Sequence, residues 1–157
     1  MTTSTLIAVA HKPGITDPVG KGLAHDIAHL GLGKVKQVSS AQLYRLEGAM
    51  SDAERERIVG DLLCDPILHQ SEDAPERSAG KAKPGIAIDI WFKAGVTDVV
   101  GDSVRKGIQD LDIHTVQSVR TGMRYHLEGV TRREVAEKIA AALLVNPLVH
   151  EATIHAD

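Results

Sequence analysis

Gly14-Ile15-Thr16-Asp17-Pro18-Val19-Gly20 is answered by Gly95-Val96-Thr97-Asp98-Val99-Val100-Gly101, a constant shift of 81 residues. The same shift carries Tyr44-Arg45-Leu46-Glu47-Gly48 onto Tyr125-His126-Leu127-Glu128-Gly129. It also carries Leu62-Leu63-Cys64-Asp65-Pro66 onto Leu143-Leu144-Val145-Asn146-Pro147, without a gap. A fixed-period repeat of this length decides the architecture before any local motif does. It also supplies an internal control. A residue kept in both copies serves the shared architecture; a residue kept in one copy does not.

The chain of 157 residues therefore reads as two similar units, repeat 1 over 1–70 and repeat 2 over 86–157. A linker rich in Ser, Ala, Glu, Lys, Pro and Gly joins them over 71–85. A unit of about 75 residues buries only about 60% of its unfolded surface and is marginal alone, so the halves are expected to pair. The net charge of −3, with both signs interspersed, leaves no electrostatic footprint for nucleic acid or a membrane surface. A single cysteine excludes an internal disulfide framework and suits a reducing compartment. The first residues, Met1-Thr2-Thr3-Ser4-Thr5, lack the basic and apolar regions of a secretory signal. No apolar run approaches the roughly 20 residues of a spanning helix. The expectation is a cytoplasmic protein.

Each half reads β-α-β-α-β. Leu6-Ile7-Ala8-Val9-Ala10 and Ile86 to Phe92 are strand-like runs bounded by glycine turns. The first helix opens at Asp17 or Asp98, whose carboxylates suit the orphan amides of a helix start, and Pro18 suits the first helical position. Val19, Leu23, Ile27 and Leu30 then form one stripe, as do Val100, Val104, Ile108 and Leu111. Gly31 stops the first copy. The segments Val35 to Leu46 and Val116 to Leu127 look extended, and Thr121-Gly122 marks either a tight hairpin or a bend in one long strand; the bent strand is preferred. Capping boxes at Ser51-x-x-Glu54 and Thr131-x-x-Glu134 start the second helix. Its stripe is Ile58 with Leu62, and Val135, Ile139 and Leu143. Asp65-Pro66 and Asn146-Pro147 end it, because the residue before proline disfavours helix. A terminal strand follows Pro147, whereas the polar Gln70-Ser71-Glu72-Asp73 makes its repeat 1 counterpart weak. The fold class is α+β: two tandem repeats with helices on one face of an antiparallel sheet, arranged as a pseudo-dimer.

Candidate chemistry thins out under the internal control. His25 and His29 have the i, i+4 spacing of zinc-binding helices, yet their counterparts are Lys106 and Asp110. His69 and His150 recur in both halves after a helix-ending proline, where satisfying last-turn carbonyls and the helix dipole explains them better than catalysis. Lys12-Pro13-Gly14 and Lys93-Ala94-Gly95 precede a helix start and could bind an anion, but Asp17 and Asp98 already occupy that positive end. Cys64 aligns with Val145 and reads as a small apolar residue. No catalytic set, cofactor site or metal cluster recurs, so architecture and assembly through exposed strand edges explain the chain better than catalysis. Two rival readings are a metabolite-binding regulatory α/β module and a metal-dependent enzyme built on His25 and His29.

The order of shared motifs carries a resemblance. An Asp-Pro-x-Gly helix start at Asp17-Pro18-Val19-Gly20 comes first. A strand follows, seen here as Val116-Gln117-Ser118-Val119-Arg120-Thr121-Gly122-Met123-Arg124-Tyr125-His126-Leu127, and then Leu143-Leu144-Val145-Asn146-Pro147-Leu148-Val149. This pattern resembles the PurS family, the small subunit of phosphoribosylformylglycinamidine synthase, once per repeat and over nearly the whole chain. The tandem form is also similar to the amino-terminal region of the fused, large-type synthase. The resemblance implies a non-catalytic subunit joining a glutaminase to an ATP-dependent synthetase in purine biosynthesis, itself oligomeric, with ATP, magnesium and substrate held by the synthetase. The enzyme would be a glutamine-using C–N ligase with no active site on this chain. Repeat 1 departs from the pattern at Ser39-Ser40-Ala41 and repeat 2 at Val99. Repeat 2 is therefore expected to face the partners, through Arg120 and Arg124 with Lys93 behind them.

Overall fold

The computed structural model describes residues 3–73 and 84–156. Repeat 1 contributes β1 (Ser4–His11), α1 (Pro18–Leu30), β2 (Gln37–Gly48), α2 (Asp52–Ile58) and β3 (His69–Asp73). Repeat 2 contributes β4 (Ile86–Phe92), α3 (Val99–Asp110), β5 (Val116–Glu128), α4 (Arg133–Ile139) and β6 (His150–His155). The strands form one six-stranded antiparallel sheet in the order β3-β1-β2-β5-β4-β6. The halves join where β2 pairs with β5. Gln42 lies opposite Met123 there, and these two residues are also equivalent under the 81-residue shift. A pseudo-two-fold axis therefore passes between them. The α+β class, the two repeats and the pseudo-dimer are as the sequence implies.

The helices cross between the halves. In one core cluster Leu23 and Ile27 of α1 meet Ile86, Ile88 and Ile90 of β4 and Ala136 and Ile139 of α4. In the other, Ile58 of α2 meets Ile108 of α3, together with Ile7, Leu46 and Val119. Each core thus combines a helix from each repeat over strands of both. Strand alternation sends Leu6, Ala8, Leu43 and Trp91 to the sheet's far face, opposite the helices, as a third cluster.

The first helix of each repeat starts as its sequence suggests. Gly20 N–H donates to Asp17 Oδ1 at 2.9 Å, and Gly101 N–H donates to Asp98 Oδ1 at 2.8 Å. The same carboxylates also bind the next strand, through Ser40 N–H and Thr121 N–H at 2.6 and 2.7 Å. This cross-tie draws helix and strand so close that a Cβ on Gly20 would stand 2.4 Å from the Val38 carbonyl oxygen. Gly31 ends α1 in the left-handed region at φ 65°, and Asp112 does the equivalent after α3 at φ 63°, a conformation that Asp tolerates better than most residues.

Several local expectations are corrected. Val19 and Leu30 are 46% and 53% exposed, so only the middle of the α1 stripe is buried; Val100 is 52% exposed in the same way. After α2 the chain makes a π-helical turn over Val59–Leu63, with Cys64 N–H bonding the Val59 carbonyl. The wider turn rotates Leu63 into the core in place of Leu62. The repeat 1 capping box forms, but in repeat 2 the N-cap is Arg132, with no side-chain cap. The 81-residue shift places Arg132, not Thr131, under Ser51. The weak last strand of repeat 1 is a real strand: β3 pairs with β1 from His69 to Asp73. A polar sequence suffices because an edge strand needs only backbone bonds on one side and tolerates solvent on its side chains. The rest of the stretch read as a linker falls largely on 74–83, outside the described residues.

β5 is one continuous strand, which excludes the hairpin. Its pairing register with β2 and β4 runs undisturbed through Gly122. Val119, Tyr125 and Leu127 share the helix-side face, and only Val116 is out of phase. A register shift at Glu47/Gly48 absorbs that offset. Gly122 instead lies opposite Trp91, where a Cβ would stand 2.7 Å from the indole. The equivalent pair in repeat 1 is Ala10 opposite Ala41. The glycine is the seat of the tryptophan.

Candidate functional site

The histidines and lysines that the sequence singles out fall into structural roles. His25 and His29 stack at 6.2 Å between ring centroids on the exposed side of α1. Among the described residues no three His, Cys, Asp or Glu side chains are grouped to hold a metal. His69 and His150 do not serve last-turn carbonyls. Each Nδ1 accepts from the amide of the residue before proline, Asp65 or Asn146, at 3.1 Å. Their rings also contact His11 and Phe92, another equivalent pair. Lys12 and Lys93 donate to the carbonyls of Pro66 and Pro147, the latter at 2.6 Å, which ties the first loop to the last turn in both copies. The groove of about 620 Å³ beside Lys12 is thus bordered by a helix end that already holds its own carboxylate. Burial pushes the Cys64 thiol up, away from a reactive thiolate.

Burial opposes ionisation of Asp17, but the bonds from Gly20 N–H, Ser40 N–H and Ser40 Oγ outweigh it and hold its carboxyl below the usual range. A depressed folded value gives stability that is complete above the unfolded value, about pH 4, and is lost as pH falls through the folded one. Asp17→Ala is expected to cost about 2–3 kcal/mol at neutral pH, combining a lost cap with an orphaned strand amide. Urea unfolding at neutral pH and near pH 3 checks this: the gap between variant and parent should narrow on acidification.

The far face of the sheet breaks the symmetry. Arg124 on β5 donates through Nε and Nη2 to both oxygens of Asp89 on β4, at 2.7 and 2.8 Å. His155 Nε2 on β6 lies 2.9 Å from Asp89 Oδ2. The Asp89 and Arg124 side chains are only 4% and 12% exposed. Repeat 1 fills the equivalent cross-strand pair with Ala8 and Leu43. The architecture therefore does not need these charges. Next to them, the Arg45 guanidinium carbon lies 4.7 Å from the Trp91 ring centroid and that of Arg120 lies 6.0 Å away. Arg120 also donates to the Phe92 carbonyl at 2.8 Å. Together with Thr153 and His155 these residues border a cavity of about 210 Å³.

Of the three basic residues expected at a partner surface, only Arg120 borders this cavity. Arg124 is engaged by Asp89, and Lys93 is tied down at the Pro147 carbonyl. Sequence reasoning missed Asp89, Trp91, Arg45 and His155. The usable signal was the internal control run in reverse: Asp89 and Trp91 stand where repeat 1 has Ala8 and Ala10.

Together these features define a duplicated α+β module in which two copies of one small unit close a single sheet. The PurS family model, described as phosphoribosylformylglycinamidine (FGAM) synthase, matches residues 4–73 and again 85–157. The chain belongs to this family, as a tandem form, and membership places it with FGAM synthase in purine biosynthesis. No curated protein matches the chain. Among the described residues no helix is long and apolar enough to cross a membrane.

Proposed function

We propose that this chain is a non-catalytic, cytoplasmic component of FGAM synthase that bridges a glutaminase and an ATP-dependent synthetase, one tandem chain replacing a pair of single units. The observation that carries this reading is the Gln42–Met123 axis, about which β2 and β5 join the repeats into one sheet with shared cores. A bridge also needs two contacts. Ile67 and Leu148 are equivalent under the 81-residue shift, precede the two edge strands, and are 76% and 83% exposed. An apolar side chain kept exposed in both copies does nothing for the core and suits docking. Arg120 and Arg124, with Lys93 behind them, are proposed for the partner-facing side of repeat 2.

The test is reconstitution. Adding this chain to cognate glutaminase and synthetase is expected to raise glutamine-dependent amidation of formylglycinamide ribonucleotide at least tenfold, while ammonia-dependent amidation changes little. Equal glutamine-dependent rates with and without the chain would sink the reading.

A further inference from the structure

β6 is the last strand of the sheet and pairs with β4 on one side only. Lys93 N–H donates to the Val149 carbonyl at 2.8 Å, and bonded and unbonded pairs alternate along an antiparallel ladder. Glu151, Thr153 and His155 therefore bond β4 through the main chain, while the amides and carbonyls of Ala152 and Ile154 turn to the open side. Side chains alternate too. Glu151, Thr153 and His155, opposite Trp91, Asp89 and Ala87, stand on the far face, and Ala152 and Ile154 stand on the helix side. An exposed edge is a template for another strand unless charges blunt it. β3, at the opposite edge, carries Glu72 and Asp73. The middle of β6 is the uncharged Ala152-Thr153-Ile154, and Glu151, Ala152 and Thr153 are all exposed.

We infer that β6 is a self-pairing edge: two copies of the chain join β6 to β6, antiparallel about a two-fold axis at Thr153, into one continuous sheet. Ala152 then falls opposite Ile154 of the second copy. Both turn their main-chain groups outward, so each such pair exchanges two hydrogen bonds. Thr153 meets its own image, a favourable cross-strand pair. Glu151 meets His155 of the second copy, so no two carboxylates face each other. His155 Nε2 lies 2.9 Å from Asp89 Oδ2, which leaves Nδ1 for the incoming carboxylate; an imidazolium donates to both. A slip by one residue would set outward groups against inward ones, and of the registers left, the one centred on Thr153 sets Glu151 against His155. Arg133 Nη1 reaches the Ile154 carbonyl at 3.4 Å, but a carbonyl has two lone pairs, so this long contact leaves one for the second copy. The inference is independent of the bridging role and concerns the isolated chain.

One added strand pairing stays below the roughly 1,000 Å² of a stable interface, so association is weak, with a Kd on the order of 100 µM. Sedimentation velocity should find single copies at about 5 µM and mostly pairs at about 1 mM. Ala152→Pro removes an outward donor and no bond to β4, and should weaken pairing by about tenfold or more. Ala152→Lys, which leaves the backbone intact should the proline variant fold poorly, should weaken it likewise. Ser71→Pro, at the equivalent position of β3, should leave it unchanged. Register is read by cross-linking in a Cys64→Val background. Thr153→Cys should oxidise to a disulfide-linked pair, because an unbonded cross-strand pair has Cα atoms about 4.5 Å apart, inside the roughly 4.4–6.8 Å that a disulfide spans. Glu151→Cys should not, since its image lies about 13 Å along the strand. Single copies at the highest concentration, unaltered pairing in both Ala152 variants, equal weakening by Ser71→Pro, or cross-linking by Glu151→Cys in place of Thr153→Cys would each overturn the inference.

Discussion

Asp89→Ala should destabilise the chain by about 3–5 kcal/mol, because it leaves the Arg124 guanidinium buried without a counter-charge. Asp89→Ala combined with Arg124→Leu should restore most of that loss, or exceed the parent. The contrast follows from the difference between breaking a buried ion pair and replacing it. Bringing both charges out of water costs several kcal/mol per ion, and their attraction repays this only while both are present. A well-packed apolar pair avoids both the cost and the repayment. The chain already contains that replacement, since Ala8 opposite Leu43 is the same cross-strand pair in repeat 1, and Leu43 is fully buried there. Adding His155→Ala completes the repeat 1 pattern and removes the ring that would otherwise lose its carboxylate. Denaturant unfolding of the three variants, with the slope compared to guard against a change in the unfolded state, checks the ordering. A single variant costing under about 1 kcal/mol, within the range of exposed pairs, would show that the pair is effectively solvated. A double variant as unstable as the single would show that repeat 2 cannot accept the apolar solution. The expected ordering instead means that the charges are retained at a cost to stability, as functional groups often are.

What could be read from the sequence depended on how far apart the deciding residues are. Asp17 and Asp98 cap the helices that follow them through amides three residues on, and the second helix of each repeat ends within three residues before Pro66 or Pro147, so these features were readable directly. The pseudo-dimer was also readable, because an ungapped shift is a property of the whole chain. Gly122 was not. Its purpose is Trp91 on the neighbouring strand, and a strand's own pattern says nothing about which side chain leans over it. A one-residue widening of a turn gave the core Leu63 instead of Leu62, an effect invisible to a fixed 3.6-residue period. The cross-over of the helices, α1 with α4 and α2 with α3, needed the β2–β5 register, which no single strand encodes. The Asp89 network escapes for a different reason: a comparison of the two copies that discounts residues present in only one also discounts asymmetry on a buried face, which is itself the signal.

Cutting the chain within 74–83 should abolish the independent folding of both halves and leave them able to recombine. Repeat 2 alone would lose Leu23, Ile27 and Val38 from one core and Ile7, Val9, Leu46, Ile58 and Leu63 from the other. Burial of such side chains contributes about 1.5–3 kcal/mol each, so the loss of these eight is about 12–24 kcal/mol. That matches or exceeds the roughly 5–15 kcal/mol by which a whole domain is stable. Neither half should therefore show a cooperative unfolding transition as a monomer. Mixed, they should form a one-to-one complex whose melting temperature rises with protein concentration, because joining them is then bimolecular; the intact chain should melt independently of concentration. Circular dichroism with size-exclusion light scattering separates the outcomes. Self-pairing of either half about its own central strand agrees with the shared-core architecture, since β2 and β5 are related by the axis that joins them. A half that stays monomeric and unfolds cooperatively would refute it, and would reduce the pseudo-dimer to two independent domains that merely touch. The fused arrangement has a consequence that separate units lack. It holds Arg45 of one repeat opposite Arg120 of the other in every molecule, whereas pairing of repeat 2 with itself about the same axis would set Arg120 opposite His126. Joining the repeats in one chain is what makes that asymmetric face obligatory.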